Sequence, residues 1–450
     1  MPPALQTLGW WTRPVALLEG CRARYGKRFT LRFLATPAFV NLADPEQVRE
    51  MFTAPPEVLH PGEGARILEP VIGSKSVILL DEGDHLEQRK LMLPAFHGEK
   101  MQRLSGIMEE VAVREIESWP SSEPLALHPR FQALTLEVIL RAVFGLDAGA
   151  RLDRLRVLLA RILELSGGPM SMLPFLQHEL GGRTPWGRFV RLRAEADDLI
   201  HDLIEERRAA NDTDRDDVLS MLLAGRHEDG SPMSDQELRD ELMTLLVAGH
   251  ETTASQLGWL FECLAREPRV VERLRAEIAA GEEDAYLTAT IQEAMRRYPV
   301  LPNAAPRLVK EPVEIGGWTY QPGACLIANA YLIHHDPEIY PEPYSFEPER
   351  FVEKPPGTYT WFPFGGGRRR CVGASFAMLE MKIVLRAVIE RTDIRAGYDG
   401  PVFSKRRGIT LSPRSGATTV LVRLNTSQQE GLNESLRDPS PQRVEVAAGP

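Results

Sequence analysis

The stretch Phe364-Gly365-Gly366-Gly367-Arg368-Arg369-Arg370-Cys371-Val372-Gly373 brings together a thiol, successive glycines and successive arginines. It runs straight into residues 374–391, whose apolar positions recur at helical spacing. Cys371 therefore stands just ahead of a helix N-terminus, where the macrodipole and free backbone N–H groups favour thiolate over thiol. Such a sulfur can ligate a metal or act as a nucleophile, and a cysteine so placed can equally be a buried structural thiol. The glycines permit backbone conformations closed to other residues and a close approach to a flat partner, while the arginines supply charge for carboxylates. A large, planar, dianionic cofactor meets both demands. Zinc does not, because Cys21, Cys263 and Cys325 lie singly and far away, without paired Cys or His spacing.

A second chemical stretch, Ala248-Gly249-His250-Glu251-Thr252-Thr253, lies inside an apolar run. A glycine, an acid and two threonines there cost helix propensity and need polar partners. A threonine bonding back to its own helix is one account of them. Elsewhere His85 and Arg89 are one helical turn apart, and Glu293 and Arg296 are spaced to pair on one helix. His334 and His335 are adjacent and do not converge on one ion, so a loop role is expected.

With Phe364, Gly367, Arg369, Cys371 and Gly373 in register, the first stretch resembles the haem-binding signature of the cytochrome P450 family. The segment 248–253 resembles that family's oxygen-activating helix, and the resemblance runs in order over about residues 8–424. It implies haem b (iron protoporphyrin IX), with Cys371 as the axial ligand of iron and dioxygen as co-substrate. His85, Arg89, Arg307 and Arg369 would neutralise the haem propionates. Ala248 and Gly249 would let a flat ring lie against the helix, and Glu251 with Thr252 would deliver protons to bound oxygen. His250 would point away from iron. Glu293, Arg296 and Arg350 would form a structural network locking the segment that carries the haem loop. An apolar guest would be lined by Met172, Phe175, Met243, Val247, Asn303, Ala304, Ala305, Gly408 and Ile409. The implied activity is a haem-thiolate monooxygenase that hydroxylates or epoxidises a hydrophobic small molecule such as a fatty acid, terpenoid or secondary metabolite. No residues remain for a flavin or nicotinamide domain, so electrons would come from a ferredoxin or flavodoxin with its reductase, and from NAD(P)H only through them. Arg368, Arg370, Lys382, Lys90 and Lys100 are expected to form the basic patch that docks this donor. A peroxide-driven enzyme, an isomerase or dehydratase on the same fold, and a non-enzymatic haem sensor are the alternatives. The acid and alcohol at Glu251 and Thr252 speak against the first two.

The elements that must hold these residues follow from patterning. Alternation over residues 28–34 and 38–42 predicts a hairpin, and Asp44-Pro45 starts a helix. Residues 59–75, rich in Gly and Pro, read as a long loop, which the family resemblance implies contacts substrate. Residues 101–210 read as almost wholly helical, with breaks near 119–124, 166–169 and 181–185; the family resemblance implies a lid over the substrate cavity at the middle break. Ser234-Asp235-Gln236-Glu237 is a capping box opening a long helix over the second chemical stretch. Strands are expected over 313–317, 324–330, 407–413 and 418–424. No period of 20 to 50 residues recurs. The expected fold is mainly α with a small β-rich lobe, the cytochrome P450 fold (α+β), as one catalytic domain over residues 1–425. A disordered tail is expected over 426–450.

Composition bounds the partners. The 450 residues are 43 % hydrophobic and 26 % charged, ordinary for a globular protein with a large core. A net charge of −10 disfavours nucleic acid. No window approaches a membrane span of ~20 apolar residues, and neither a signal sequence nor an N-terminal anchor is read. The expectation is a cytoplasmic, monomeric protein of the soluble bacterial type, its four scattered cysteines reduced.

Overall fold

The computed structural model describes residues 1–34, 36–96, 98–147, 149–166, 177, 184–210, 215–281 and 283–424. Its axis is the 30-residue helix Asp235–Leu264, opened by the expected capping box: Ser234 and Glu237 satisfy each other's backbone N–H groups. Nearly the whole helix is buried, so its apolar residues run round most of its circumference rather than along one stripe. It packs against Leu127–Ala142 and crosses the helix Ala374–Arg391, which lies on Glu99–Glu117. Trp259 fixes the far end: its indole N–H donates to the Leu411 carbonyl at 2.8 Å, and its ring stacks on Tyr298 at 4.3 Å.

A second core belongs to a five-stranded sheet ordered Arg28–Arg32, Ala38–Leu42, Cys325–Ala328, Arg307–Val309, Leu59–His60. The first two strands form the expected hairpin, with Arg28 opposite Leu42. Ala38–Leu42 and Cys325–Ala328 run parallel, and the other neighbours antiparallel. Phe29, Leu31, Leu42 and Leu326 bury one side of it beside the helix Pro45–Thr53. That helix is capped by the Asp44 carboxylate, which accepts from the Glu46 and Gln47 N–H groups. Smaller antiparallel pairings join Val313–Ile315 with Trp318–Tyr320 and Ser404–Arg407 with Thr410–Pro413, and a three-stranded sheet is ordered Pro124–Ala126, Thr418–Arg423, Thr392–Ala396.

Three readings of the pattern need correction. Residues 59–75 are not a long loop: strand Leu59–His60 leads into the short helices Pro61–Gly64 and Glu69–Ile72. Pro61 and Pro70 sit in helix first turns, and Gly73, at φ +86°, ends the second. Proline and glycine here start and stop helices rather than prevent them. Pro124–Ala126, inside the supposed helical run, is a strand paired with Thr418–Arg423. His334 ends a short buried helix, Ala330–His334, and its Nε2 accepts the Phe362 N–H at 3.2 Å. The tail 426–450 and the supposed lid lie outside the described residues.

Candidate active site around Cys371

The loop before Cys371 is a tight turn whose shape its own glycines permit. Gly365 and Gly367 have φ of +67° and +63°, in the left-handed region that favours glycine. The Phe364 carbonyl accepts the Cys371 N–H at 2.9 Å, so the turn closes on the cysteine. The close approach expected toward a flat cofactor goes elsewhere. A Cβ on Gly366 would fall 2.3 Å from the Phe52 ring, and one on Gly367 would fall 2.3 Å from the Phe52 carbonyl oxygen. These glycines seat the loop on the helix Pro45–Thr53. At Gly373, by contrast, a Cβ would meet nothing within 4 Å.

Cys371 lies just ahead of the helix Ala374–Arg391 as expected, with Gly373 at the N-cap. Its side chain is exposed, yet protein surrounds it closely enough that burial dominates its titration. A densely surrounded side chain with accessible surface borders a recess. Burial pushes the thiol above its ordinary value, opposed by the Gly373 N–H and by Arg89 and Arg370. The expectation of a thiolate from the helix end alone is therefore corrected: desolvation outweighs the dipole, and ligation by a metal is what would remove the proton.

Around the recess the cations converge. Arg307 is buried; one of its N–H groups donates to the Met51 carbonyl at 3.0 Å, and it forms no ion pair among the described residues. Burial and Arg369 lower it to about 10. Arg89, half-buried, is lowered by burial and is close enough to Cys371 and Arg370 to feel both charges. His85, on the same helix Glu82–Met92, is buried and held near 3 by burial and by Arg369, Arg89 and Arg307. Arg369 is more firmly tied than a free anion clamp would be. It donates to the Val77 and Leu80 carbonyls and pairs with Asp81 at 2.7 Å. Asp81 also accepts the Gly62 and Glu63 N–H groups at 2.8 and 3.0 Å. Asp81 thus answers Arg369, and neither Arg89 nor Arg307 forms an ion pair among the described residues. A dianion in the recess would supply the missing negative charge.

Beyond its first turn the central helix has few accessible positions, and they cluster at the second chemical stretch. Ala248 is exposed, and Val247, Gly249, Glu251 and Thr252 are half-buried between fully buried neighbours. The Thr252 hydroxyl donates back to the Ala248 carbonyl. Glu251 turns toward the helix Leu127–Ala142 and the hairpin of residues 404–413. Gln132 Nε2 donates to it at 2.7 Å, the Ser255 hydroxyl at 3.1 Å, and Arg407 pairs with it at 3.0 Å. Burial would raise its carboxyl, but His128, Arg407 and His250 hold it at about 2. His250 faces Thr135, its Nδ1 lying 2.9 Å from the hydroxyl.

The structure brings Glu293, Arg296 and Arg350 together. Arg296 meets the Glu293 carboxylate through Nε at 2.7 Å and Nη2 at 2.8 Å, and Arg350 reaches it at 3.2 Å. The substrate-lining expectation is less uniform. Val247, Asn303 and Ala304 are half-buried, Ala305 is exposed, and Gly408 and Ile409 form the accessible turn of the 404–413 hairpin. Met243 has no accessible surface and packs in the helical core, so it lines no open space. Met172 and Phe175 lie outside the described residues. In the supposed basic patch, Lys90 is paired with Glu228 at 2.8 Å, and Lys382 borders a surface groove beside Glu283 and Asp284. Arg368 and Arg370 stay exposed.

Sequence reasoning missed Asp81, Arg407, Gln132 and the acids Asp240 and Glu241. The last two accept the Lys75 and Val77 N–H groups at 2.9 and 2.7 Å, fastening the segment that carries Asp81 to the central helix. Two acids interrupting an apolar helix were the available signal, since buried carboxylates need donors.

Comparison with known proteins agrees with this geometry. The family model described as Cytochrome P450 matches residues 3–419. A Mycobacterium tuberculosis protein provisionally named cytochrome P450 138 is 39 % identical over 423 residues, covering 94 % of this chain and 95 % of its own. Another from that organism, provisionally named cytochrome P450 135B1, is 38 % identical over 407 residues, covering 89 % and 85 %. Among solved structures, a retinoic acid bound cyanobacterial CYP120A1 superposes with a TM-score of 0.80 at 23 % identity, over 93 % of this chain and 96 % of that one.

Proposed function

This chain belongs to the cytochrome P450 family, and from that premise we propose that it is a haem-thiolate monooxygenase acting on an apolar small molecule with electrons from a separate ferredoxin or flavodoxin. The observation that carries the reading is the gathering of Arg89, Arg307, Arg369 and His85 about the recess at Cys371, with Asp81 answering Arg369 alone. The residues fit haem b: one thiol for the iron, open space beside Gly373, and surplus positive charge for two propionates. Arg307 and Arg89 are the freer partners for the propionates, and Arg369 stiffens the loop through Asp81. Bound there, haem supplies the activation of dioxygen, and a thiolate ligand favours O–O cleavage.

The chain's own residues orient, exclude water and handle protons. Ala248 and Gly249 leave the central helix without bulk where a flat ring would rest on it. The Thr252 hydroxyl, bonded to the Ala248 carbonyl, can turn its proton toward that space. Glu251 is a carboxylate across the physiological range, so it can accept a proton from solvent-side donors and hand it toward Thr252 only while its pairing with Arg407 loosens. Val247, Ala304, Ala305 and Ile409 offer an apolar lining. His85, neutral at working pH, contributes a ring N–H rather than a charge.

The test is spectroscopic and then catalytic. The reduced carbonyl adduct of the purified chain is expected to show the red-shifted Soret band of thiolate ligation, and Cys371→Ser to abolish it. Turnover of an apolar substrate should require NAD(P)H with a ferredoxin and its reductase. A Cys371→Ser variant with an unchanged spectrum refutes the ligand assignment, and turnover with peroxide but none with NAD(P)H, ferredoxin and reductase refutes the dependence on a donor.

A further inference from the structure

The helix Pro3–Thr12 turns Gln6, Thr7, Trp10 and Trp11 inward and leaves its leucines outside. It has no buried residue. Gln6 Oε1 accepts the Arg32 N–H at 2.8 Å, and Thr7 Oγ1 accepts the Leu34 N–H at 3.0 Å. Trp10 continues this inner side, its ring 5.7 Å from that of Phe33, and the Arg406 guanidinium lies over Trp11 at 4.3 Å. With those residues facing in, Leu5 and Leu8, three positions apart, share the outward face. They are 52 % and 57 % exposed. A helix on a globular surface normally points such residues at the core. Leu34, 48 % exposed beside Thr7, widens the apolar surface, as does Phe403, 57 % exposed and one residue ahead of the strand Ser404–Arg407 on which the helix packs.

The segments that build this surface are basic although the chain is acidic, with Arg22 and Lys27 paired to Asp336 and Arg407 to Glu251. Residues 1–43 hold six Lys and Arg against one acid, Glu19, while the whole protein carries −10. Glu19 is taken by the Tyr331 and Tyr344 hydroxyls at 2.6 and 2.9 Å. Residues 401–424 hold five Lys and Arg and no acid. Arg13, Arg32 and Lys405 are exposed, and no ion pair engages them among the described residues.

We propose that this corner docks on the surface of an anionic phospholipid bilayer. Leu5, Leu8, Leu34 and Phe403 enter the headgroup boundary while Arg13, Arg32 and Lys405 meet lipid phosphates. No described helix is long and apolar enough to cross a membrane, so the contact is peripheral and reversible. A second copy seated face to face would set these cations against one another, which favours lipid over self-association. The contact is independent of the chemistry at Cys371, and would bring the protein to where apolar substrates partition.

The haem-loaded full-length chain is sedimented with vesicles of phosphatidylcholine alone or mixed with phosphatidylglycerol. Binding should be stronger on the anionic vesicles, by up to about fivefold for each cation near the surface, and should weaken as salt is raised. Leu5→Gln with Leu8→Gln should lower the bound fraction about tenfold at unchanged melting temperature and absorbance spectrum. Arg13→Glu with Lys405→Glu should abolish the preference for anionic lipid. The proposal is overturned by equal sedimentation with both vesicles, or by a leucine double variant that binds like wild type. It is also overturned if sedimentation velocity shows a dimer that this variant dissolves, which would assign the face to a second copy.

Discussion

Replacing Glu293 by Gln tests whether the buried charge network supports the fold. Neither Glu293 nor Arg296 has accessible side-chain surface. The Arg296 guanidinium spends its donors on both carboxylate oxygens and on the carbonyls of His334, Pro343 and Ser345, at 2.7, 2.8 and 3.1 Å. The same carboxylate accepts the Glu347 N–H at 3.0 Å and receives Arg350. Gln keeps one acceptor but turns an NH2 group toward guanidinium donors, and leaves the buried Arg296 without a counter-charge while the half-buried Arg350 keeps only Glu347. Removing one partner of such a group costs about 3–5 kcal/mol. An unfolding entropy of about 2.1 cal/mol/K per residue gives roughly 0.9 kcal/mol/K for a chain of this length, so the midpoint should fall by about 3–5 °C. Thermal unfolding of the haem-loaded chain, followed by circular dichroism, is the assay. Glu347→Gln, which removes only Arg350's more exposed partner, serves as the control and should shift the midpoint by under about 1 °C. If Glu293→Gln melts within a degree of wild type, or no lower than the control, the network does not carry the stability assigned to it.

Gly367→Ala should cost about 1–2 kcal/mol from its left-handed backbone alone, and more because the new Cβ meets the Phe52 carbonyl oxygen. Gly373→Ala should melt near wild type when haem-free and bind haem more weakly, since its side chain would enter open space; equal melting of the two variants would contradict this. Glu380 is buried, with one carboxylate oxygen unpartnered, and burial raises its carboxyl to about 8. The folded state then keeps a proton that the unfolded state loses above about 4.5, so this group's contribution to stability falls as pH rises from there to about 8. Glu380→Gln has no such proton to lose, and its melting temperature should gain on wild type steadily from pH 5 to pH 8; a constant difference across that range rules the assignment out.

Much of the site was legible because its residues are unusual where they stand. A cysteine at a helix start behind successive glycines and arginines, and a Gly-His-Glu-Thr interruption in an apolar helix, are costly locally and therefore informative. Helix and hairpin signals at Asp44, Ser234 and residues 28–42 also held, because capping and alternation are short-range effects. Residues 59–75 misled because proline and glycine mark helix ends as readily as loops, and only the strand at Arg307–Val309 decides which. Whether Met243 faced a pocket or the core could not be read either, since helical periodicity gives a direction but not what lies there.

From its order of residues alone, this protein declared its family and its mainly helical build, because those rest on side-chain types at fixed short spacings. Tertiary packing decided the rest: that burial rather than a helix end governs the Cys371 proton, that Glu251 is held by Arg407 across 156 residues of chain, and that Arg369 leans on Asp81. Desolvation and ion pairing depend on which segments meet in space, and no local pattern records that meeting.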